Sequence, residues 1–182
     1  MPENRPQPGT SAPVPDRPTV TPDGEPIDGL VDGVTLRDIV THTDERGTLF
    51  ELFDPRWDWH PDPLVYAYVA TIRPGIVKGW ARHQEHVDRY ALLFGELEVV
   101  LFDGRAASPT HGQVSKVVLS EHRRRLLSIP TGVWHADRNI GAGDAVIVNF
   151  PTLAYDHDAP DKERLPLDTP LIPYSFEDAR GW

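Results

Sequence analysis

The stretch Pro130–Asn139 reads PTGVWHADRN, in which a Pro-x-Gly turn leads directly into a strand pattern. A second stretch, Lys78–Tyr90, reads KGWARHQEHVDRY. Side chains at alternate positions of a strand share one face of a sheet, so Ala81 and His83 are expected to point the same way. His135 follows the turn, and we expect it near the start of a strand, where its side chain can face into a barrel.

Short apolar segments surround these two stretches, with Gly and Pro at most of their junctions. They recur at intervals of roughly 8–12 residues, and no long segment has a 3.6-residue period. The pattern predicts an antiparallel all-β sandwich or barrel, in which only Glu121–Leu127 favours a short helical turn. The predicted strands are Val34–Val40, Thr48–Phe53, Leu64–Ile72, Ile76–His83, Arg89–Phe94, Glu96–Phe102, Val114–Leu119, Arg125–Ile129 and Ala145–Phe150.

The composition excludes several classes of protein. The chain has 182 residues, which suits one domain, and 18 basic against 28 acidic residues give a net charge of −10. Because it has no cysteine, disulfides, cysteine-ligated zinc and thiol nucleophiles are excluded. The acidic balance argues against nucleic acid and anionic membranes as partners. No run of about 18 apolar residues could span a membrane, and the polar start is unlike a signal peptide, so we expect a cytoplasmic protein.

Proline divides the chain into three parts. Residues 1–29 hold 8 of the 19 prolines and few apolar side chains, so we predict a disordered or extended arm there. The arm is either a tail without function or a segment that wraps a partner subunit. Residues 30–182 are the predicted folded domain, and within them residues 155–182 are expected to be ordered, irregular chain packed on the barrel.

Three side chains suited to a metal ion can converge at the mouth of such a barrel. They are His83, Asp88 and His135, with His86 or Glu85 in reserve. Two imidazoles and one carboxylate with open positions suit Fe(II), Mn(II) or Zn(II). The alternative is a set of histidines that bond to their neighbours without a metal. The sequence contains no glycine-rich phosphate loop and no G-x-S-x-G nucleophile motif.

The same two stretches resemble the cupin motifs. The second cupin motif, P-x-G-x-x-H-x-x-x-N, matches at Pro130, Gly132, His135 and Asn139. The first, H-x-H-x4-E-x6-G, matches only in part, because Ala81 replaces the first histidine and Asp88 replaces the glutamate.

Within the cupins, the chain more closely resembles the dTDP-4-dehydrorhamnose 3,5-epimerase family, from about Val34 to Phe176. Short motifs spread along this length carry the resemblance. They are DERG at 44–47 with Glu51, IVKGWA at 76–81, GEL at 95–97, DGR at 103–105, SPTHG at 108–112, Tyr155, and LDTPLIPY at 167–174.

The resemblance implies an all-β cupin jelly roll, a double-stranded β-helix barrel with short peripheral helical turns. It also implies a homodimer, often with N-terminal strands exchanged between subunits, and a nucleotide-sugar pocket inside the barrel. The family's chemistry needs no metal or other cofactor. A histidine base removes a proton next to a ketone, a lysine stabilises the enolate oxygen, and a tyrosine returns a proton to the opposite face.

The family's catalytic positions are altered in this chain. The base histidine falls on Ala81, the lysine on Asp88 and the tyrosine at about Asn149. A methyl group cannot remove a proton and a carboxylate repels an enolate, so the ordinary family mechanism is not expected. His83 lies about 7 Å along the strand on the face of Ala81, and we predict it as a displaced base.

We therefore predict a rebuilt site. Lys78 keeps the positive charge of the family's arginine, His135 is the acid partner of His83, and Asp168 matches the aspartate that orients the base. The predicted catalytic residues are thus His83, His135, Lys78 and Asp168. The predicted substrate-binding residues are Arg46, Glu51, Tyr66, Tyr68, Asp88, Asn149 and Tyr155.

Three hypotheses of different classes stay open at this point. The first is an isomerase-like enzyme that removes a proton next to a carbonyl of a nucleotide-activated keto-deoxysugar or another oxygenated metabolite. The second is a metal-dependent cupin enzyme that uses His83, Asp88 and His135. The third is a catalytically silent dimer that binds a ligand or acts as a scaffold, which the loss of the three catalytic side chains favours.

Overall fold

The computed structural model describes residues 18–176 and the backbone of residues 180–181. Regular structure in these ranges is β-strand, apart from one 3-10 turn at Pro55–Trp57, and no helix there is long and apolar enough to cross a membrane. The strands are β1 (Thr35–Asp38), β2 (Thr41–Asp44), β3 (Gly47–Phe50), β4 (Tyr68–Ile72), β5 (Ile76–Arg82), β6 (Asp88–Phe94), β7 (Glu96–Asp103), β8 (Val114–Ser120), β9 (Arg125–Ile129), β10 (Val133–Asn139), β11 (Ala145–Asn149), β12 (Glu163–Arg164) and β13 (Arg180–Gly181).

Two sheets pack face to face around one core. One sheet has the order β1-β9-β6-β11-β4, and the other has β12-β5-β10-β7-β8, with β13 parallel to β5. Strands β2 and β3 form a separate hairpin. Side chains of both sheets share an apolar core, which includes Val99 and Leu101 of β7 and Leu127 of β9. This arrangement confirms the all-β prediction.

The prediction of a helical turn at Glu121–Leu127 is wrong. The chain reverses at Ser120–Arg123, which an isolated bridge joins, and β9 already begins at Arg125. The Arg125 side chain is buried and lies 3.2 Å from a Glu25 carboxylate oxygen. Pairing of β9 with β6 therefore outweighs the helical preference of this charged run.

Both terminal segments contact the sheets. In the predicted arm, the structure describes residues 18–29, where Glu25 pairs with Arg123 at 2.7 Å; residues 1–17 lie outside the described ranges. At the other end, Leu165, Leu167, Tyr174 and Phe176 pack with Trp80 and Trp134 on the outer face of β5 and β10. This packing carries residues 160–164 to the edge of β5, where β12 pairs with Arg82.

A bulge in β5 sets the geometry of the site. His135 is opposite Ala81 and Asp137 is opposite Lys78, so two steps on β10 match three on β5. Lys78, Gly79 and Ala81 consequently all border the space between the sheets. A Cβ atom on Gly79 would lie 2.3 Å from the Cβ atom of Ala136, so the close approach of β10 to β5 requires glycine here.

Candidate active site

The space that the apolar core leaves unfilled is a polar cavity, the inner cavity. Lys78 projects into it from β5, Tyr90 from β6, and His135 and Asp137 from β10. The other lining residues are Tyr68, Ala70, Ile72, Gly79, Ala81, Ile147, Asn149, Lys162 and Arg164.

A second cavity, the outer cavity, adjoins the first, because Tyr68 and Lys162 line both. Its wall is aromatic, and the ring centroids of Tyr66 and Tyr68 are 6.0 Å apart. The other lining residues are His83, His86, Pro151, Leu153 and Tyr155. The two cavities together offer a polar chamber and a more apolar vestibule.

The structure brings together most of the predicted site residues. Lys78, His135, Tyr68 and Asn149 border the inner cavity, and His83, Tyr66, Tyr68 and Tyr155 border the outer one. Four predicted residues border neither cavity within this single chain, and one of them, Asp88, is buried behind the histidines. Asp168 and Glu51 are exposed, and Arg46 pairs with Asp44 on the exposed β2–β3 hairpin.

Asp88 lies beneath three histidines, of which His83 and His86 border the outer cavity and His135 borders the inner one. Its side chain is 2% exposed. The Oδ2 atom of Asp88 lies 3.4 Å from Nε2 of His83 and 3.5 Å from Nε2 of His135, and the Oδ1 atom lies 3.5 Å from Nε2 of His86. Asn149 Nδ2 donates a 2.6 Å hydrogen bond to Oδ1 of Asp88.

Asp161 holds two of these histidines from the opposite side. Its main-chain carbonyl accepts a hydrogen bond from Nδ1 of His83, and its carboxylate lies 3.0 Å from Nδ1 of His86. The carboxylate also accepts hydrogen bonds from the backbone N–H groups of Gln84, Glu85 and His86. These contacts fix the turn between β5 and β6 and direct both Nε2 atoms toward Asp88.

Burial controls the charges of this cluster. It lowers the pKa of His135 to about 4, against the attraction of Asp88, and it also lowers the pKa of His83. Burial alone would raise the pKa of Asp88, but hydrogen bonding and attraction from the neighbouring histidines hold it well below its ordinary value. Near neutral pH, Asp88 is therefore a carboxylate, and His83 and His135 are neutral imidazoles.

Asp137 is the most strongly perturbed acid of the inner cavity. Burial, reinforced by the negative charge of Asp88, raises the pKa of Asp137 to about 7, while Lys78 and Lys162 oppose this shift. The Tyr90 hydroxyl donates a 3.4 Å hydrogen bond to Oδ2 of Asp137, and burial raises the pKa of Tyr90 well above its ordinary value. Asp137 can thus hold or release a proton near neutral pH beside a neutral phenol.

Lys162 brings a second cation to the cavities from the loop before β12. The residue as a whole is exposed, but desolvation of its ammonium group among the cavity side chains lowers its pKa, with Arg164 adding repulsion and Asp88 opposing the shift. Lys78 and Lys162 both act on Asp137. A developing negative charge in the inner cavity would therefore face two lysines.

Sequence reasoning missed Asp137, Tyr90 and Lys162 as functional candidates. Asp137 could have been found, because it lies two residues after His135 and alternate strand residues share a face. Tyr90 likewise lies two residues after Asp88 on β6. Lys162 has no such signal, since it reaches the cavity from a proline-rich loop distant in sequence.

A family model described as dTDP-4-dehydrorhamnose 3,5-epimerase matches residues 29–159. The chain belongs to this family. A probable low-salt glycan biosynthesis epimerase of Haloferax volcanii is 35% identical over 74% of this chain and 87% of its own length. The family model and this relative agree with the resemblance that the motifs carry, and they confirm the family prediction.

Solved structures of the epimerase family share the fold. A dTDP sugar isomerase from Desulfovibrio desulfuricans G20 is 30% identical, covering 80% of this chain and 91% of that one, with a TM-score of 0.74. The RmlC epimerase of Legionella pneumophila, solved with dTDP-4-keto-L-rhamnose, is 22% identical, covering 85% of each chain with a TM-score of 0.73. The similarity to the Legionella structure shows the fold, a cupin jelly roll.

Two departures from the family's motifs form a bonded pair in this epimerase-family member. Asn149 donates to Asp88, and its Oδ1 atom accepts a 3.0 Å hydrogen bond from the Arg89 backbone N–H. The third departure, Ala81, borders the inner cavity opposite His135. The three positions at which the resemblance implies altered catalytic residues thus hold a buried polar network and a methyl group at the cavity wall.

Proposed function

We propose that this protein is a nucleotide-sugar epimerase that removes and returns a proton next to a carbonyl with a relocated acid–base set. The observation that carries the proposal is the placement of Asp137, Tyr90 and Lys78 around the inner cavity of a family member. The substrate class is a nucleotide-activated keto-deoxysugar. Its ketone makes the neighbouring C–H protons acidic enough for a positioned base to remove.

The inner cavity supplies the groups that this reaction needs. We assign the base to Asp137 instead of His83, because Asp137 borders the inner cavity and His83 borders the outer one. Lys78 and Lys162 stabilise the enolate oxygen, and Tyr90 returns a proton or holds Asp137 in position. This assignment rests on the positions of the side chains around the cavity.

The outer cavity suits the nucleotide. Tyr66, Tyr68 and Tyr155 offer aromatic faces for the base, and Lys162 between the two cavities can meet a phosphate. We also propose a homodimer in which the exposed β2–β3 hairpin brings Arg46 to the partner's vestibule. Two exposed apolar side chains near this hairpin, Val40 and Leu49, support such an interface.

Proton exchange tests the proposal directly. The protein is incubated with dTDP-, UDP- and GDP-linked 4-keto-6-deoxyhexoses in heavy water, and deuterium at C3 and C5 is measured by mass spectrometry and NMR. Asp137→Asn should slow exchange about 10²–10⁴-fold, the usual contribution of a general base. Asp144→Asn, an exposed change in the next loop, is the matched control and should leave the rate unchanged.

Three outcomes are informative. Exchange that requires Asp137 supports both the reaction and the assignment of the base. Exchange that Asp137→Asn leaves unchanged supports the reaction and refutes the base. Binding of the sugar nucleotides without exchange refutes the enzyme and favours the silent binding protein.

A further inference from the structure

We propose that His83, His135 and Asp88 bind one divalent first-row transition-metal ion. The inference concerns binding alone and goes beyond the proposed epimerase activity. It stands on the positions of three buried donor atoms and on a hydrogen bond that fixes one imidazole tautomer.

The three donor atoms have the spacing of a metal site. Ligating nitrogen and oxygen atoms lie about 2.0–2.2 Å from such an ion, so neighbouring ligands are about 3–3.5 Å apart. Oδ2 of Asp88 is 3.4 Å from Nε2 of His83 and 3.5 Å from Nε2 of His135. The ligating atoms of the three residues all lie within 4.8 Å of one another.

Direct hydrogen bonds explain these contacts less well. An N–H···O bond brings nitrogen and oxygen to about 2.7–3.2 Å, shorter than either separation here. Two histidine nitrogens also approach the same Asp88 oxygen at almost equal distances, which places that oxygen at a point common to all three side chains. A cation at the common point would satisfy all three ligands.

The tautomer of His83 supports this reading. A carbonyl oxygen only accepts, so the bond between His83 Nδ1 and the Asp161 carbonyl requires a proton on Nδ1. A neutral His83 then directs the Nε2 lone pair at Oδ2 of Asp88, and two electron-rich atoms face each other in a buried place. A hydrogen bond from the second ring nitrogen to a carbonyl is also how metal-bound histidines are oriented.

The donor set indicates the kind of ion. Two imidazoles and one carboxylate suit Zn(II), Fe(II), Mn(II) and Co(II), and positions that the protein leaves open can take water or a ligand oxygen. His135 borders the inner cavity and His83 the outer one, so the open positions would face the junction between them.

A neighbouring cluster provides the sharpest alternative. His83, His86 and Asp161 also lie within 4.8 Å of one another, and they share only His83 with the proposed site. His135→Gln removes a ligand of the proposed site alone, and His86→Gln removes a ligand of the alternative alone. His122→Gln, on an exposed turn, is the control.

The experiment uses the full chain without substrate. Metal content is measured after purification, and EDTA-treated protein is titrated with Co(II) while the visible absorption is followed. We expect one ion per chain and a loss of affinity above about 100-fold in His135→Gln, which removes a ligand. His86→Gln changes only a contact of the ligand Asp88 and should cost at most about 10–100-fold, and His122→Gln should leave the affinity unchanged.

A spectroscopic measurement on the unaltered protein covers the case in which His135→Gln does not fold. Zn(II) should shift the ring ¹⁵N signals of His83 and His135 and leave those of His122 unchanged. Absence of binding by both methods would overturn the proposal, and so would binding lost in His86→Gln but kept in His135→Gln. Because no substrate is present, failure here leaves the epimerase proposal standing.

Discussion

Replacing Asp103 by asparagine should cost far more stability than the same change at Asp44. Both residues begin an Asp-x-Arg sequence in which the carboxylate pairs with the arginine two residues later. The side chains of Asp103 and Arg105 are 0% and 26% exposed, whereas those of Asp44 and Arg46 are 42% and 83% exposed. The two pairs therefore differ mainly in burial.

The magnitude follows from the contacts of Asp103. Arg105 donates to it through Nε and Nη2 at 2.8 Å each, and the hydroxyls of Ser108 and Thr110 donate at 2.5 and 2.6 Å. Asparagine at this position removes the negative charge, and its amide N–H group, a donor, faces the donor groups of Arg105, Ser108 and Thr110. Breaking a buried ion pair from one side costs about 3–5 kcal/mol, against about 0–1 kcal/mol for an exposed pair such as that of Asp44.

Urea denaturation followed by circular dichroism measures both variants. For a slope of about 1–3 kcal/mol per molar, Asp103→Asn should lower the midpoint by more than about 1 M, and Asp44→Asn should barely move it. Arg105 hydrogen bonds, opposed by burial and aided by Ser108 and Thr110, hold the pKa of Asp103 well below its ordinary value. The difference between wild type and Asp103→Asn should thus persist above about pH 4 and shrink as the pH falls below it. Equal losses in the two variants would refute the reasoning.

Two further changes test the positions of the strands and of the charge. Gly79→Ala should lower the free energy of unfolding by about 1–3 kcal/mol, because the new methyl group meets Ala136. The control Gly143→Ala, whose new methyl group meets nothing within 4 Å, should leave it unchanged, and an unchanged thermal midpoint in Gly79→Ala would contradict the close approach of the strands. Lys162→Met should slow deuterium exchange into the substrate about 10²–10³-fold, because it removes a positive charge beside the enolate. The exposed control Lys116→Met should exchange at the wild-type rate, and a wild-type rate in Lys162→Met would exclude Lys162 from the site.

The fold could be predicted from the sequence because its elements are local. Short apolar runs such as Val99–Phe102 and Ala145–Val148 indicate buried strands, and most turns between strands carry glycine or proline. The exception was the helical turn expected at Glu121–Leu127, whose last residues belong to the strand that the sequence itself predicts at Arg125–Ile129. Arg125 pairs with Glu25, about 100 residues away in the sequence, and no local sequence pattern predicts this contact.

The site was predictable only where it lies on strands. The convergence of His83, Asp88 and His135 follows from the register of β5 and β10 and from the short turn into β6. Asp161 and Lys162 act on that cluster from a loop that pairs with β5 only after the C-terminal segment has packed on Trp80 and Trp134. Contacts of this kind depend on tertiary packing, which single-sequence patterns do not encode.

On the proposed function, the topology explains how neighbouring strands can serve the three positions at which the resemblance implies altered catalytic residues. Strand β5 is bordered by β10 and β12, so a position emptied at Ala81 can be served by side chains from either neighbour. Asp137 on β10 and Lys162 before β12 occupy such places. Asp88 and Asn149, at the positions where the resemblance implies the family's lysine and tyrosine, are both buried and are hydrogen-bonded to each other. Asp137 is buried beside the half-buried Lys78, and one of its carboxylate oxygens has no hydrogen-bond partner. Burying such a group without a ligand costs stability, so the proposed reaction gives a reason for keeping it in the cavity.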